Sequence, residues 1–346
     1  MGLLGRSLST GRDGQPRTRR SRLILSYLPD YAVLVVMAAL WGLISLIHPF
    51  HREFSLTDKT IQYPNKPDSV PFYAAVVLAF VLPLVVIVLW TGLLRRSFHD
   101  MNVGILGLCM ALVLNMMVTN TVKNLAGRLR PDFIDRCNLD LSQVSEPTIG
   151  LLTSAVCRQA DESFLLDGMR SFPSGHSSFS FAGLGYITLW LCGHMNIVDC
   201  RGRTYKSFVA LAPLLGALLI SVSRTKDYRH HWQDVLAGAL LGVAMAWFAY
   251  LQYYPSPLSA DVDTSQPFPP RIPDEPDQQS FVLKSFRHTA GAGATPGAAS
   301  MPAAGVHGQA GGGAESAYSQ QFSSPQVALS IPEQPHVMQS RESLVR

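Results

Sequence analysis

Charged side chains are scarce in this sequence. Asp, Glu, Lys and Arg make up 15% of its 346 residues, against about 25% in soluble globular chains. Charge thins out over long apolar blocks and gathers between and beyond them. That excludes an ordinary soluble domain and points to a multi-span membrane protein with polar ends. The formal net charge of +4 is too small and too dispersed to argue for a nucleic-acid partner. No short apolar core with a small-residue cleavage site follows the N-terminus, so the first span is read as an uncleaved anchor. Met1-Gly2 lacks the Ser or Thr at position 6 that myristoylation wants; Arg6 stands there. Clusters of acidic, His or Cys ligands are missing too, so neither a catalytic metal nor another cofactor is implied.

What the chain does have is six apolar runs, at about 29–48, 72–94, 103–122, 177–193, 207–223 and 235–254. Each is long enough, or nearly so, to cross about 30 Å of hydrocarbon at about 1.5 Å per residue. The expected fold is an all-α integral membrane bundle of six transmembrane helices, residues 27–254. It lies between a disordered basic arm, 1–26, and a disordered tail, 255–346, rich in Pro, Ser, Gln, Gly and Ala. The fourth run opens with Ser177, Ser178 and Ser180, which are expected to face a packed bundle rather than lipid. Arg95, Arg96, Arg201, Arg203 and Lys206 share a side with the arginine-rich arm, which puts both termini in the cytosol. The loop 132–172 is long for a helix connection and falls on the luminal or extracellular side. There Cys137 and Cys157 either form a disulfide or remain free thiols. Oligomeric state is not legible.

Three stretches carry chemistry. In Lys123-Asn-Leu-Ala-Gly-Arg-Leu-Arg130-Pro131 the two outer cations are seven apart, two turns along one helical face, with Pro131 ending the helix near Arg130. In Pro173-Ser174-Gly175-His176 a serine able to N-cap and a glycine precede an apolar run. That reads as the mouth of a helix whose free N–H groups hold an oxyanion. In Ser223-Arg224-x5-His230-His231-x2-Asp234 a helix running from His230 would place His230 and Asp234 on one face. Arg224 adds a planar fork of donors suited to phosphate. Lone basic residues here would be read as interfacial snorkelling, and His231 is left as structural. Together the three stretches suggest phosphoryl transfer. His230 is the nucleophile, Asp234 fixes its tautomer, and His176 is general acid and then base. Lys123, Arg130 and Arg224, with the backbone N–H groups of Ser174 and Gly175, bind phosphate.

In this order the three stretches resemble the signatures of the type-2 phosphatidic acid phosphatase superfamily. With six spans the chain is similar to its integral-membrane lipid phosphate phosphatase branch, most of all to fungal diacylglycerol pyrophosphate phosphatases, over about 27–254. The resemblance implies metal-independent removal of terminal phosphate from phosphatidate, lysophosphatidate or diacylglycerol pyrophosphate through a phosphohistidine. It assigns the same roles to His230 and Asp234. The implied setting is an endomembrane (vacuole, ER or Golgi) or the plasma membrane, with the site on the luminal or extracellular face. A sphingoid-base or polyprenyl phosphate phosphatase and a non-catalytic membrane scaffold are the alternatives. The intact histidines speak against the scaffold, and no inverted repeat or broken span suggests a transporter.

Overall fold

The structure, a computed structural model, describes residues 19–140, 150–198, 202–259 and 262–271. Six long helices carry the architecture: α1 (Arg19–Ser45), α2 (Phe72–Leu94), α3 (Phe98–Ala126), α6 (Gly175–His194), α7 (Thr204–Lys226) and α8 (Trp232–Tyr253), with two short helices, α4 (Phe133–Cys137) and α5 (Glu162–Gly168), between α3 and α6. Among the described residues there is no strand, only an isolated bridge between Phe54 and Leu152. All six expected runs are helical. α2 is continuous but includes two π-helical turns, Val77–Val81 and Trp90–Leu94.

Burial explains the placement of the helices. α1 and α7 leave Val33, Val36, Leu43, Phe208, Leu215 and Leu219 exposed, an apolar exterior that suits hydrocarbon and not water. α6 is the reverse. It packs against α8, α7, α3 and α2, and Ser177, Ser178 and Ser180 are fully buried, as expected. Two of the hydroxyls are bonded inside the bundle: Ser177 donates to the Val235 carbonyl at 2.8 Å, and Asn115 donates to Ser178 at 3.2 Å. Five helices have the length and composition of membrane spans, and α6 is not among them. Its small and polar residues face other helices, so it has no need of an apolar surface.

The α6–α8 contact is close because Gly238 and Gly242 lie on it. A Cβ at Gly238 would sit 2.6 Å from the Ser174 carbonyl, and one at Gly242 would overlap the Ser178 carbonyl. This pair, one turn apart, lets the two backbones touch in the manner of small-residue membrane contacts.

At one end of the bundle, residues 49–71, 127–140 and 150–172 fold over the helix ends. Phe54, Leu129, Phe133, Leu152 and Met169 form a small second core. The Cys137–Cys157 alternative resolves as a disulfide, with Cα atoms 4.7 Å apart. At the other end, ordered structure passes both expected domain edges. α1 begins at Arg19, within the segment read as an arm. Residues 262–271, within the segment read as a tail, pack on the bundle. Thr264 is buried and donates to Asn196 at 2.7 Å, Arg95 donates to the Ser265 carbonyl, and Arg271 pairs with Asp30 at 2.7 Å. The apolar pattern ends near 254, but polar caps of this kind carry no period to read. The remainder of the arm and tail, and Cys200, lie outside the described residues.

Candidate active site

The three stretches meet at the capped end of the bundle. α3 stops at Ala126, where Gly127 takes the left-handed conformation (φ 53°) with the Phe50 carbonyl against its Cα. A side chain there would be strained by backbone and blocked by space. The helix thus ends before Arg130, and the expectation that Lys123 and Arg130 share one helical face is corrected: Lys123 comes from the helix and Arg130 from the loop. Ser174 caps α6, accepting from the Ser177 N–H, as its position before the apolar run suggested. α8 begins at Trp232, not His230, with His231 as N-cap and Asp234 completing a capping box. His230 therefore lies in a loop, held by its N–H to the Arg224 carbonyl at 3.3 Å.

A cavity of about 250 Å³ receives Lys123, Arg130, Gly175, His176, Arg224 and His230. Six of the eight expected site residues therefore line one space, and Ser174 and Asp234 do not. The Ser174 N–H donates to the Asp234 carbonyl at 2.9 Å and its hydroxyl caps α6, so the expected role of its N–H in holding an anion is corrected. The first N–H groups of α6, beginning with Gly175, remain the helix mouth that opens here. Asp234 Oδ2 lies 4.0 Å from His230 Nδ1, beyond hydrogen-bond length. The Ser171 hydroxyl stands between them, donating to Asp234 Oδ2 at 2.6 Å and lying 3.4 Å from His230 Nδ1. Arg128 pairs with Asp234 Oδ1 at 2.7 Å, and His231 approaches Oδ2 at 3.3 Å. The carboxylate that sequence spacing assigned to His230 alone is thus shared by four residues.

His230 is almost fully buried. Burial, reinforced by Arg130 and Lys123, pushes its imidazole well below the usual histidine range, which leaves the ring neutral at pH 7. Nε2 of His176 has no hydrogen-bond partner among the described residues, and its ring stands nearly perpendicular to that of Phe72, with centroids 5.4 Å apart.

Carboxylates that the motifs did not mark surround the cationic wall. Asp167 bonds Arg130 at 2.6 Å and Arg136 at 3.1 Å. Asp132 bonds Arg136 at 2.8 Å and Arg229 at 3.2 Å. Asp68 bonds Arg229 at 2.8 Å and Arg224 at 3.3 Å, and Asp227 bonds Arg224 at 3.0 Å. Four arginines and four aspartates alternate in one chain. Desolvation raises the Asp167 carboxyl, but Arg130 and Arg136 outweigh it and hold the group below its usual range. Asp68, Asp167 and Arg229 also line the cavity. Arg229 lies inside the third stretch and was legible there as one more cation; Asp68 sits in a loop and Asp167 on the short helix α5, neither with a local pattern to mark it. No group of three or more metal-ligating side chains occurs among the described residues.

An apolar cavity of about 310 Å³ adjoins this one, between α1, α2, α3 and α6, and shares Trp41, Phe72 and Met116 with it. Its remaining walls are aliphatic or aromatic apart from Cys109.

Residues 104–257 match the PAP2 superfamily. The chain is 38% identical over 238 residues to lipid phosphate phosphatase 2 of Arabidopsis thaliana, covering 68% of this chain and 80% of the relative. It is also 38% identical over 257 residues to diacylglycerol pyrophosphate phosphatase 1 of Saccharomyces cerevisiae, covering 71% and 84%. A solved structure, the transmembrane PAP2-type phosphatidylglycerolphosphate phosphatase of Bacillus subtilis, is 20% identical and covers 66% of this chain and 92% of its own, with a TM-score of 0.31. A helical bundle with membrane-span composition, three signature stretches around one cavity, and relatives matched over most of their length lead to one assignment: the chain is a multi-pass membrane member of the PAP2 superfamily.

Proposed function

We propose that this protein is a lipid phosphate phosphatase that removes terminal phosphate from phosphatidate, lysophosphatidate and diacylglycerol pyrophosphate. The observation that carries the reading is the cavity where Lys123, Arg130 and Arg224 stand around His176 and His230. The guanidinium groups and the ammonium bind the phosphate oxygens, helped by the first N–H groups of α6. Neutral His230 attacks phosphorus, a P–N bond forms, and the bond to the leaving oxygen breaks. His176 gives that oxygen its proton. Water, deprotonated by His176, then attacks the phosphohistidine; the P–N bond breaks and phosphate departs. Asp234 acts on the charge developing in the His230 ring at 4.0 Å and through Ser171, not by a direct bond. The adjoining apolar cavity suits an acyl chain, which supports a lipid rather than a water-soluble substrate.

The cationic wall neutralises phosphate without a metal, so turnover should persist in chelator. The test is phosphate release from a panel of lipid phosphates by purified protein in detergent with EDTA present. Release from phosphatidate and diacylglycerol pyrophosphate supports the proposal. Failure on every lipid phosphate, or dependence on added Mg²⁺, overturns it.

A further inference from the structure

The guanidinium groups that face the cavity are each paired with a carboxylate. Arg130 is held by Asp167 at 2.6 Å, and Asp167 Oδ2 also reaches Arg136 at 3.1 Å. The two arginines differ in what else they hold. Arg136 is fully buried and has further partners: Asp132 at 2.8 Å, the Phe164 carbonyl at 3.2 Å, and the Phe164 ring 4.4 Å below its guanidinium. Arg130 has Asp167 as its one side-chain partner among the described residues, and its Nε is buried and unbonded. Asp167 itself keeps 48% of its side-chain surface exposed, at the cavity wall. It is an ionised carboxylate on an anion-binding guanidinium, with a second guanidinium beside it that stays fixed.

We propose that Asp167 is a placeholder for phosphate: it occupies Arg130 between turnovers and retreats onto Arg136 when a phosphoryl group enters, which limits how tightly the phosphate product is held. The inference rests on the phosphatase reading and adds a positioning residue to it. A carboxylate and a phosphate compete for the same planar donors. With Asp167 parked on Arg136 its charge stays paired, so binding leaves no orphaned carboxylate in the wall. Arg130 is likewise never left unpaired after product leaves, because Asp167 returns. The α5 helix that carries Asp167 is capped by Asp161, whose side chain accepts from the Phe164 N–H at 3.2 Å. The exchange therefore requires only a side-chain movement.

The experiment measures inorganic phosphate binding by calorimetry, and phosphate inhibition of phosphatidate hydrolysis, for wild type, Asp167→Asn, Asp167→Gln and Asp167→Glu in detergent. The neutral variants should bind phosphate about tenfold more tightly, with KM for phosphatidate falling and kcat falling as product release slows. Asp167→Glu should return phosphate affinity toward wild type. A purely structural ion pair predicts the opposite: weaker phosphate binding and a raised KM, because Arg130 loses its support. That result, or unchanged phosphate affinity in the neutral variants, overturns the proposal. So does loss of folded protein in both neutral variants with the glutamate variant intact. If wild type itself neither binds phosphate nor releases it from any lipid, the phosphatase reading fails instead.

Discussion

His230 and His176 reach the same cavity from different backbones, one from a loop and one from the first turn of α6. Their losses should be distinguishable. Without His230 no phosphoenzyme forms with any substrate. Without His176 the nucleophile survives and only proton transfer is lost, worth about 10²–10⁴-fold and most for a poor alkoxide leaving group. An aryl phosphate should therefore recover phosphoenzyme formation in His176→Ala and recover nothing in His230→Ala. Acid-labile phosphoenzyme measured in a single turnover checks this. Phosphoenzyme in His230→Ala would reverse the roles. The depressed His230 pKa gives a second expectation. Between the unfolded value near 6.5 and the lower folded value, the unfolded chain binds the extra proton, so this group costs stability progressively as pH falls below about 6.5 and has no effect above it. A nitrogen-15 NMR titration should find the His230 ring still neutral at pH 6, and an inflection near 6.5 would contradict its burial. The residue types of the site were legible because histidines and basic residues beside apolar runs have few other uses. The link between Asp234 and His230 was not. Spacing proposed a direct pair, while Ser171 and Arg128, from distant parts of the chain, and His231, three residues away, compete for the same carboxylate.

At the scale of elements, the seam between α6 and α8 positions the chemistry. Gly238 lies one turn beyond Asp234 and against the carbonyl of Ser174, two residues before His176. Gly238→Val should force the helices apart, costing about 1–3 kcal/mol in overpacking and lowering kcat with it. Gly92→Ala, where a Cβ meets nothing within 4 Å, is the control. A thermal unfolding midpoint for Gly238→Val equal to that of the control would show that the seam tolerates a gap. The apolar runs located every long helix, although α1 begins ten residues before its run, at Arg19 and not 29, and helix starts and stops near the site were misjudged. Gly127 ends α3 early because the Phe50 carbonyl lies against it, and α8 starts late because His231 and Asp234 cap it. Both are decided by contacts that a single sequence does not display.

For the whole molecule, the proposed topology keeps both termini in the cytosol and the capped end of the bundle in the lumen or outside the cell. A glycosylation acceptor placed in 150–161 should be used, and one placed after residue 271 should not; the reverse pattern would put the site on the cytosolic face. The disulfide Cys137–Cys157 belongs to the same end, and such bonds persist in oxidising compartments.

The burial of α6 also bears on how the protein is made. A helix whose Ser177, Ser178 and His194 are bonded to its neighbours gains little by dissolving in lipid alone. During synthesis it should leave the insertion machinery only in company, against α3 already in place and α7 and α8 still emerging. The helix that carries His176 would then be seated last, when α8 arrives to close against it. A nascent chain stalled before residue 232 should remain hydrolytically silent, and phosphatase activity should appear only with the final helix.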